Sequence, residues 1–159
     1  MTVDCPLCHR APTETLLWQN DQLRIILANE PDYPALCRVI WHTHIREMGD
    51  LAPAQQYYLM HVVFIVEQAL RQLLQPDKIN LASLGNLVSH LHWHVIPRFH
   101  NDRHFPLPIW SAPQRDDCRR ENIDIESLRH LLTTQLAASI TTPITTLITT
   151  AAVVTDRAS

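Results

Sequence analysis

A seven-residue segment with strictly alternating histidines constrains the fold of this chain more than any other feature. The segment reads His90-Leu91-His92-Trp93-His94-Val95-Ile96. Alternate side chains of a β-strand point to opposite faces of a sheet, and neighbours on one face lie roughly 6.6 to 7 Å apart along it. We therefore expect the three histidines to share a face that is open to a cavity or to solvent. The intervening apolar residues should face the core.

Three alternating histidines opposite an apolar face suit two kinds of chemistry. One is a metal site, because two histidines separated by one residue on a strand can hold zinc. The other is nucleophilic catalysis by one imidazole, with the flanking rings positioning and polarising the substrate. The spacing alone does not separate these two interpretations.

Cys5 and Cys8 form a C-x-x-C pair ahead of the first strand-like run. No βαβ pattern follows them, which argues against a thioredoxin-like redox motif. The pair is either half of a zinc site, which would take two further nitrogen or sulfur ligands from elsewhere, or a structural hook at the N-terminus. The sequence pattern leaves both alternatives open.

The composition excludes several classes of protein. The chain has 159 residues, of which 46% are hydrophobic and 18% charged, and its net charge is −3. These values argue against a disordered chain, a protein that binds nucleic acid by bulk charge, and a polybasic membrane binder. The two glycines leave no room for a glycine-rich phosphate loop. Because the sequence has no apolar run of ~18 residues and no signal-peptide pattern, we expect a cytoplasmic protein.

Hydrophobic periodicity and turn residues predict one domain, over residues 1–138, followed by a threonine-rich tail over residues 139–159. Pro97 is expected to end the last strand. The predicted strands cover residues 15–18, 23–27, 36–41, 78–84 and 89–96, and the predicted helices cover residues 53–74 and 125–136.

The alternating segment is similar to the signature of histidine triad (HIT) proteins, in which histidine and apolar residues alternate. These proteins are nucleotide hydrolases and transferases. The order of the predicted elements agrees over roughly residues 5–110. The Pro97-Arg98 step and the His104-Phe105-Pro106 region resemble the bacterial diadenosine tetraphosphate hydrolase-like branch. The resemblance implies an α+β fold: a mostly antiparallel sheet of about five strands, one long helix and one shorter helix. It also implies a homodimer.

The resemblance further implies a covalent mechanism. His92 would attack the α-phosphorus of a dinucleoside polyphosphate or a nucleoside phosphoramidate, forming a nucleotidyl-histidine that water then hydrolyses. His94 would hydrogen-bond a phosphate oxygen or the bridging oxygen. Asn29, Gly85 and Asn86 fall where the family contacts the nucleotide, the last two through a turn that can offer N–H groups to phosphate.

Some bacterial members of this family hold a zinc ion near the N-terminus, and the matching ligands here are Cys5, Cys8, His44 and His90. Two cysteines and two histidines form a normal structural zinc set. Such a site would orient the strand that carries the nucleophile without taking part in the reaction.

One position departs from the family pattern. Many members carry a histidine where the third strand begins, and this chain has Leu36 there. The departure motivates a first alternative, a nucleotide-binding or scaffold protein with vestigial catalysis. A second alternative is a metal-dependent hydrolase that uses the triad histidines as ligands.

Overall fold

The computed structural model describes residues 5–116 and 122–141, and the structural statements below concern that part of the chain. Its strands are β1 Thr15–Gln19, β2 Leu23–Leu27, β3 Cys37–Trp41, β4 Lys78–Ala82 and β5 His92–Arg98. Its α-helices are α1 Pro53–Leu74 and α2 Ile125–Thr141. The strands form one antiparallel sheet in the order β1-β2-β3-β5-β4. The α+β fold implied by the resemblance is therefore confirmed.

The long helix α1 has the bounds predicted for it. Pro53 stands in its first turn, where a missing N–H costs nothing, and Gln75 ends it in the left-handed conformation with a φ of 47°. Pro76 follows and cannot continue the helix. The buried side of α1 includes Leu59, Val63, Val66 and Leu70, and it packs on one face of the sheet.

The fourth and fifth strands differ from their predicted bounds. β4 ends at Ala82, two residues before the predicted Leu84, and β5 begins at His92 and runs to Arg98. The expectation that Pro97 ends the strand was wrong, because Pro97 pairs with Ile79 of β4. The pairing of β5 with β3 ends at Val95. No β3 residue therefore pairs with residue 97, and its missing N–H removes no bond from that ladder.

The two faces of the sheet carry different residues. Val39, Trp93 and Val95 belong to the face that packs into the main hydrophobic core with both helices. Arg38 and His94 are directly paired across β3 and β5, so they share the opposite face. The candidate site lies on this second face.

The shorter helix α2 runs five residues beyond its predicted end at Leu136. Asp124 caps its first turn, where its side chain accepts hydrogen bonds from the N–H groups of Glu126 and Ser127. The predicted tail overlaps the helix at residues 139–141, and residues 142–159 lie outside the described part. Neither described helix is both long and apolar enough to cross a membrane.

Candidate functional site

The C-x-x-C pair lies beside two histidines that are distant in sequence. A turn closed by the N–H of Cys8 on the carbonyl of Cys5 places both thiols on one side. The Nδ1 atom of His90 is 3.4 Å from the Cys5 sulfur and 3.6 Å from the Cys8 sulfur, and Nδ1 of His44 is 3.3 Å from the Cys8 sulfur. One ligating atom from each of the four residues lies within 4.8 Å of the others.

These distances fit a tetrahedral zinc ion. Zn–S bonds of about 2.3 Å and Zn–N bonds of about 2.0 to 2.1 Å place sulfur and nitrogen ligands about 3.6 Å apart. The orientation of His90 also fits, because its Nε2 donates a hydrogen bond of 2.6 Å to the carbonyl of Trp41. That bond leaves Nδ1 without a proton and free to bind a metal. The four residues therefore form a possible metal site with the donor set of structural zinc.

The ring of His92 is held by the main chain. Its Nδ1 donates a hydrogen bond of 2.6 Å to the carbonyl oxygen of His90. This bond fixes the tautomer and leaves a lone pair on Nε2, which has no hydrogen-bond partner among the described residues and is not among the fully buried unpartnered atoms. Burial lowers the pKa of His92, an effect partly offset by the bond to His90 and reinforced by the charge of Arg38.

His94 lies next to His92, with the ring centroids 4.9 Å apart. Its Nδ1 is buried and has no hydrogen-bond partner in the part of the chain that the structure describes. Burial lowers the pKa of His94 to about 4, with further lowering from His92 and Arg38. The ring is therefore uncharged at neutral pH, and it has an unused hydrogen-bonding atom.

The expectation that the triad face is open to a cavity or to solvent needs correction. All three histidines are buried, with 0% of His90, 7% of His92 and 6% of His94 exposed. Part of the covering is Trp110, whose half-exposed ring lies 5.2 Å from that of His94. Trp110 belongs to the irregular chain that follows β5, and Nε2 of His92 is not among the fully buried atoms without a partner.

Arg98, at the end of β5, anchors the chain that carries Trp110. Its buried guanidinium donates to Asp102 at 3.0 Å, to Asn80 of β4 at 2.7 Å and to the carbonyl of Leu107 at 2.9 Å. These bonds attach the covering chain to the sheet at two points. Sequence reasoning missed this network; the one signal for it was an arginine directly after the apolar run at residues 95–97.

Two cavities lie on this side of the molecule. The first, of about 470 Å³, lies beside Trp110, and its lining includes Glu30, Asp32, Tyr33 and Arg103. The second, of about 420 Å³, has a lining that includes Glu14, Arg24, Asn29 and Arg38. The ion pair between Glu30 and Arg38, of 3.2 Å, joins a residue of one cavity to a residue of the other.

The three predicted nucleotide-binding residues are placed differently from one another. Asn29 is exposed and lines the second cavity. Gly85 and Asn86 lie in the connection between β4 and β5, and neither lines either of the two cavities. Leu36, at the departing position, is buried with Ala28, Tyr33 and Ile96 in a small apolar cluster. The bond that orients His92 comes from a main-chain carbonyl, so it does not depend on residue 36.

The antiparallel five-stranded sheet and its histidine-bearing strand define a class of protein that comparison identifies. A family model described as the HIT domain matches residues 10–101, and the chain belongs to this family. Proteins of the family are generally nucleotide-binding proteins or hydrolases. A comparison with curated proteins finds no match.

Solved structures agree on the fold. A histidine triad protein from Bradyrhizobium japonicum is 25% identical, with a TM-score of 0.62, over 76% of this chain and 89% of that one. A zinc-bound histidine triad family protein from Mycobacterium smegmatis is 26% identical, with a TM-score of 0.61, over 85% of this chain and 97% of that one. The zinc in that relative supports the interpretation of the Cys5, Cys8, His44 and His90 cluster as a metal site.

Proposed function

We propose that the protein is a nucleotide phosphohydrolase or nucleotidyl transferase that acts at the α-phosphate of dinucleoside polyphosphates or nucleoside phosphoramidates. The observation that carries the proposal is the state of His92. Its Nδ1 is bound to the carbonyl of His90 at 2.6 Å, and its Nε2 has no partner among the described residues. An imidazole held in this tautomer is a ready nucleophile.

In the proposed reaction, Nε2 of His92 forms a bond to the α-phosphorus while the bond from phosphorus to the leaving group breaks. The leaving group departs with the electron pair of that bond and is protonated from solvent. A water molecule then attacks the same phosphorus, the P–N bond breaks, and the nucleoside monophosphate leaves with the ring restored. Two displacements replace one, which lowers each barrier.

His94 would act on the phosphate as an uncharged group. Its Nδ1 is buried without a partner among the described residues, so a hydrogen bond to a phosphate oxygen or to the bridging oxygen would satisfy an atom that is costly to leave unpaired. Asn29, Gly85 and Asn86 are proposed to contact the nucleotide: Asn29 from the second cavity, and the turn at 85–86 through its N–H groups.

Zinc is proposed as a structural ion at Cys5, Cys8, His44 and His90. Bound there, it would cross-link the N-terminal segment to the residue that starts the triad, and it would supply no group to the reaction. Among the described residues, the metal-ligand cluster does not include His92 or His94. This separation favours the nucleophilic mechanism over a hydrolase that uses the triad as metal ligands. A homodimer in the cytoplasm remains a prediction.

Kinetics of matched histidine variants test the proposed function. His92→Ala should lower kcat by about a thousandfold or more, because it removes the nucleophile itself. The control is His130→Ala, which removes an exposed histidine from α2. Equal turnover by His92→Ala and wild type would exclude the mechanism. Nucleotide binding without turnover in the wild type would favour the scaffold alternative.

A further inference from the structure

The face of the sheet that carries the triad also carries three arginines, one on each of three strands. Arg38 of β3 pairs directly with His94 of β5, and Arg24 of β2 pairs with Ile40, which in turn pairs with His92. Directly paired residues share a face, so these arginines point to the same side as the catalytic candidates. Arg98, six residues after His92 on β5, shares that face by alternation.

Two of the three arginines are held by hydrogen bonds to several other groups of the protein. Arg98 donates three hydrogen bonds from three different nitrogens and is buried. Arg24 donates to Glu14 at 2.9 Å and to the carbonyl of Leu7 at 3.2 Å, and the side chains of Arg24 and Glu14 are only 5% and 8% exposed. The carboxylates that hold these two guanidinium groups, Glu14 and Asp102, are themselves buried.

Arg38 is held much more weakly. Its one hydrogen bond to a described residue runs from Nη2 to Glu30 at 3.2 Å, and its Nε is buried without a partner. Its side chain is 29% exposed and that of Glu30 is 39% exposed. Exposed ion pairs of this kind contribute little to stability, so Glu30 can be displaced at small cost.

Arg38 lies next to the triad on the sheet. Arg38 is the direct cross-strand neighbour of His94, it lines the second cavity, and it pairs with a residue of the first. Its charge lowers the pKa of both His92 and His94. Arg38 is thus a cation on the triad face whose one hydrogen bond to a described residue is to a half-exposed carboxylate.

We infer that the Arg38 guanidinium binds the phosphate chain of the substrate, where it exchanges Glu30 for phosphate oxygens, and that the preferred substrates are therefore nucleoside polyphosphates rather than phosphoramidates. The inference rests on the proposed function. A planar guanidinium matches two phosphate oxygens at once, and such bonds are stronger than those between neutral groups. Glu30 then turns to solvent, and Glu14 stays neutralised by Arg24.

Two substrates that differ in their leaving group test this. Diadenosine tetraphosphate offers a phosphate chain, whereas adenosine 5′-phosphoramidate offers an amine and a single phosphate. Arg38→Gln should lower kcat/KM for the tetraphosphate roughly 10- to 100-fold more than for the phosphoramidate, the cost of one charge-assisted contact. Arg71→Gln, on the exposed side of α1, is the control for losing one positive charge and should change both values less than about twofold.

Arg38→Lys keeps the positive charge but lacks the planar guanidinium, so its kcat/KM for the tetraphosphate should lie between those of the wild type and Arg38→Gln. If Arg38→Gln does not fold, Arg38→Lys replaces it in the test. Equal losses of kcat/KM on both substrates, or no loss on either, would overturn the inference.

A binding experiment measures the same contact without turnover. ATP and AMP are titrated calorimetrically into inactive His92→Asn protein, with and without Arg38→Gln. Weaker binding of ATP alone supports the inference, and unchanged or equally weakened binding of both nucleotides contradicts it. Absence of turnover in the wild type would count against the proposed function instead.

Discussion

The carbonyl oxygen of His90 lies 2.6 Å from Nδ1 of His92, and the ring of the same His90 lies against the two cysteine thiols. His90 thus contributes both to the metal-ligand cluster and to the positioning of His92. Its side chain is a possible metal ligand, and its main chain orients the proposed nucleophile. Any change that moves His90 should therefore also change the orientation of the His92 ring.

Loss of the proposed zinc ion is expected to lower the stability of the fold more than the rate of the reaction. Cys8→Ser should reduce bound zinc from one ion per chain to a small fraction of that, and it should lower the free energy of unfolding by several kcal/mol, roughly, since metal binding contributes to folding. Turnover should fall but not vanish, because His92 remains. Elemental analysis and chemical denaturation measure the two effects.

Cys37→Ala is the matched control for the cysteine variant. Cys37 is buried in the core, where burial raises the pKa of its thiol to about 12, and it is not among the four clustered residues. Its removal should leave the zinc content unchanged. A Cys8→Ser protein that still holds a full equivalent of zinc would contradict the assigned ligand set.

Acid should destabilise the protein through His94. The folded pKa of about 4 lies below the unfolded value, roughly 6.5, so the unfolded chain takes up a proton that the folded chain does not. The free energy of unfolding therefore falls as the pH drops from about 6.5 to 4, by up to about 3 kcal/mol from this residue. The positive charge of Arg38 across the strand pair and the ring of His92 both oppose protonation.

His94→Asn removes that pH dependence, so the free energy of unfolding of the wild type should fall relative to that of the variant as the pH is lowered from 7 to 4. Release of metal in acid affects both proteins and cancels in the difference. His130→Asn, on an exposed part of α2, is the control for the loss of a histidine. A constant stability difference between His94→Asn and wild type across this range would refute the assignment.

The anchor of the covering chain is expected to be a large stability determinant. Arg98 and Asp102 form an ion pair of 3.0 Å in which each side chain is 2% exposed. Asp102→Ala leaves the guanidinium buried without its partner and should cost about 3 to 5 kcal/mol in urea denaturation. Arg103→Gln, which breaks the half-exposed pair with Asp32, should cost less than about 1 kcal/mol. Similar costs for the two variants would contradict this ranking.

Trp110 is expected to affect substrate binding more than stability. Its ring is 52% exposed, lines the first cavity and lies against His94. Trp110→Ala should raise KM severalfold while the melting temperature changes little. Tyr57→Ala, which removes an exposed aromatic ring from α1, controls for the loss of surface area. An unchanged KM would mean that the indole does not contact the substrate.

Local patterns in the sequence correctly predicted the elements whose bounds are set by residues nearby in the chain. The bounds of α1 and β2 follow from periodicity, Pro53 and a turn signal, and both match the structure. Alternation predicted one face for His90, His92 and His94; β5 begins at His92, so strand geometry applies to His92 and His94 and not to His90. The resemblance, not the spacing, named the four clustered metal-ligand residues.

Features that depend on distant contacts could not be predicted. The bounds of β5 are set by its pairing with β4, which carries the strand through Pro97. Part of the covering of His94 comes from Trp110, on a chain segment that Arg98 anchors, and no local pattern indicates this contact. Arg38 was visible as a lone charge in an apolar strand, but its place opposite His94 needs the register of two strands that are more than fifty residues apart in the sequence.

Mass spectrometry of the reaction intermediate tests the central claim most directly. Wild-type protein is mixed with excess diadenosine tetraphosphate, quenched in alkaline denaturant because a P–N bond hydrolyses in acid, and digested. The account predicts an adenylyl group on the peptide that contains residue 92, localised to His92 by fragmentation and absent from His92→Ala. Steady turnover with no adduct at any time point, or an adduct on another residue, would contradict it.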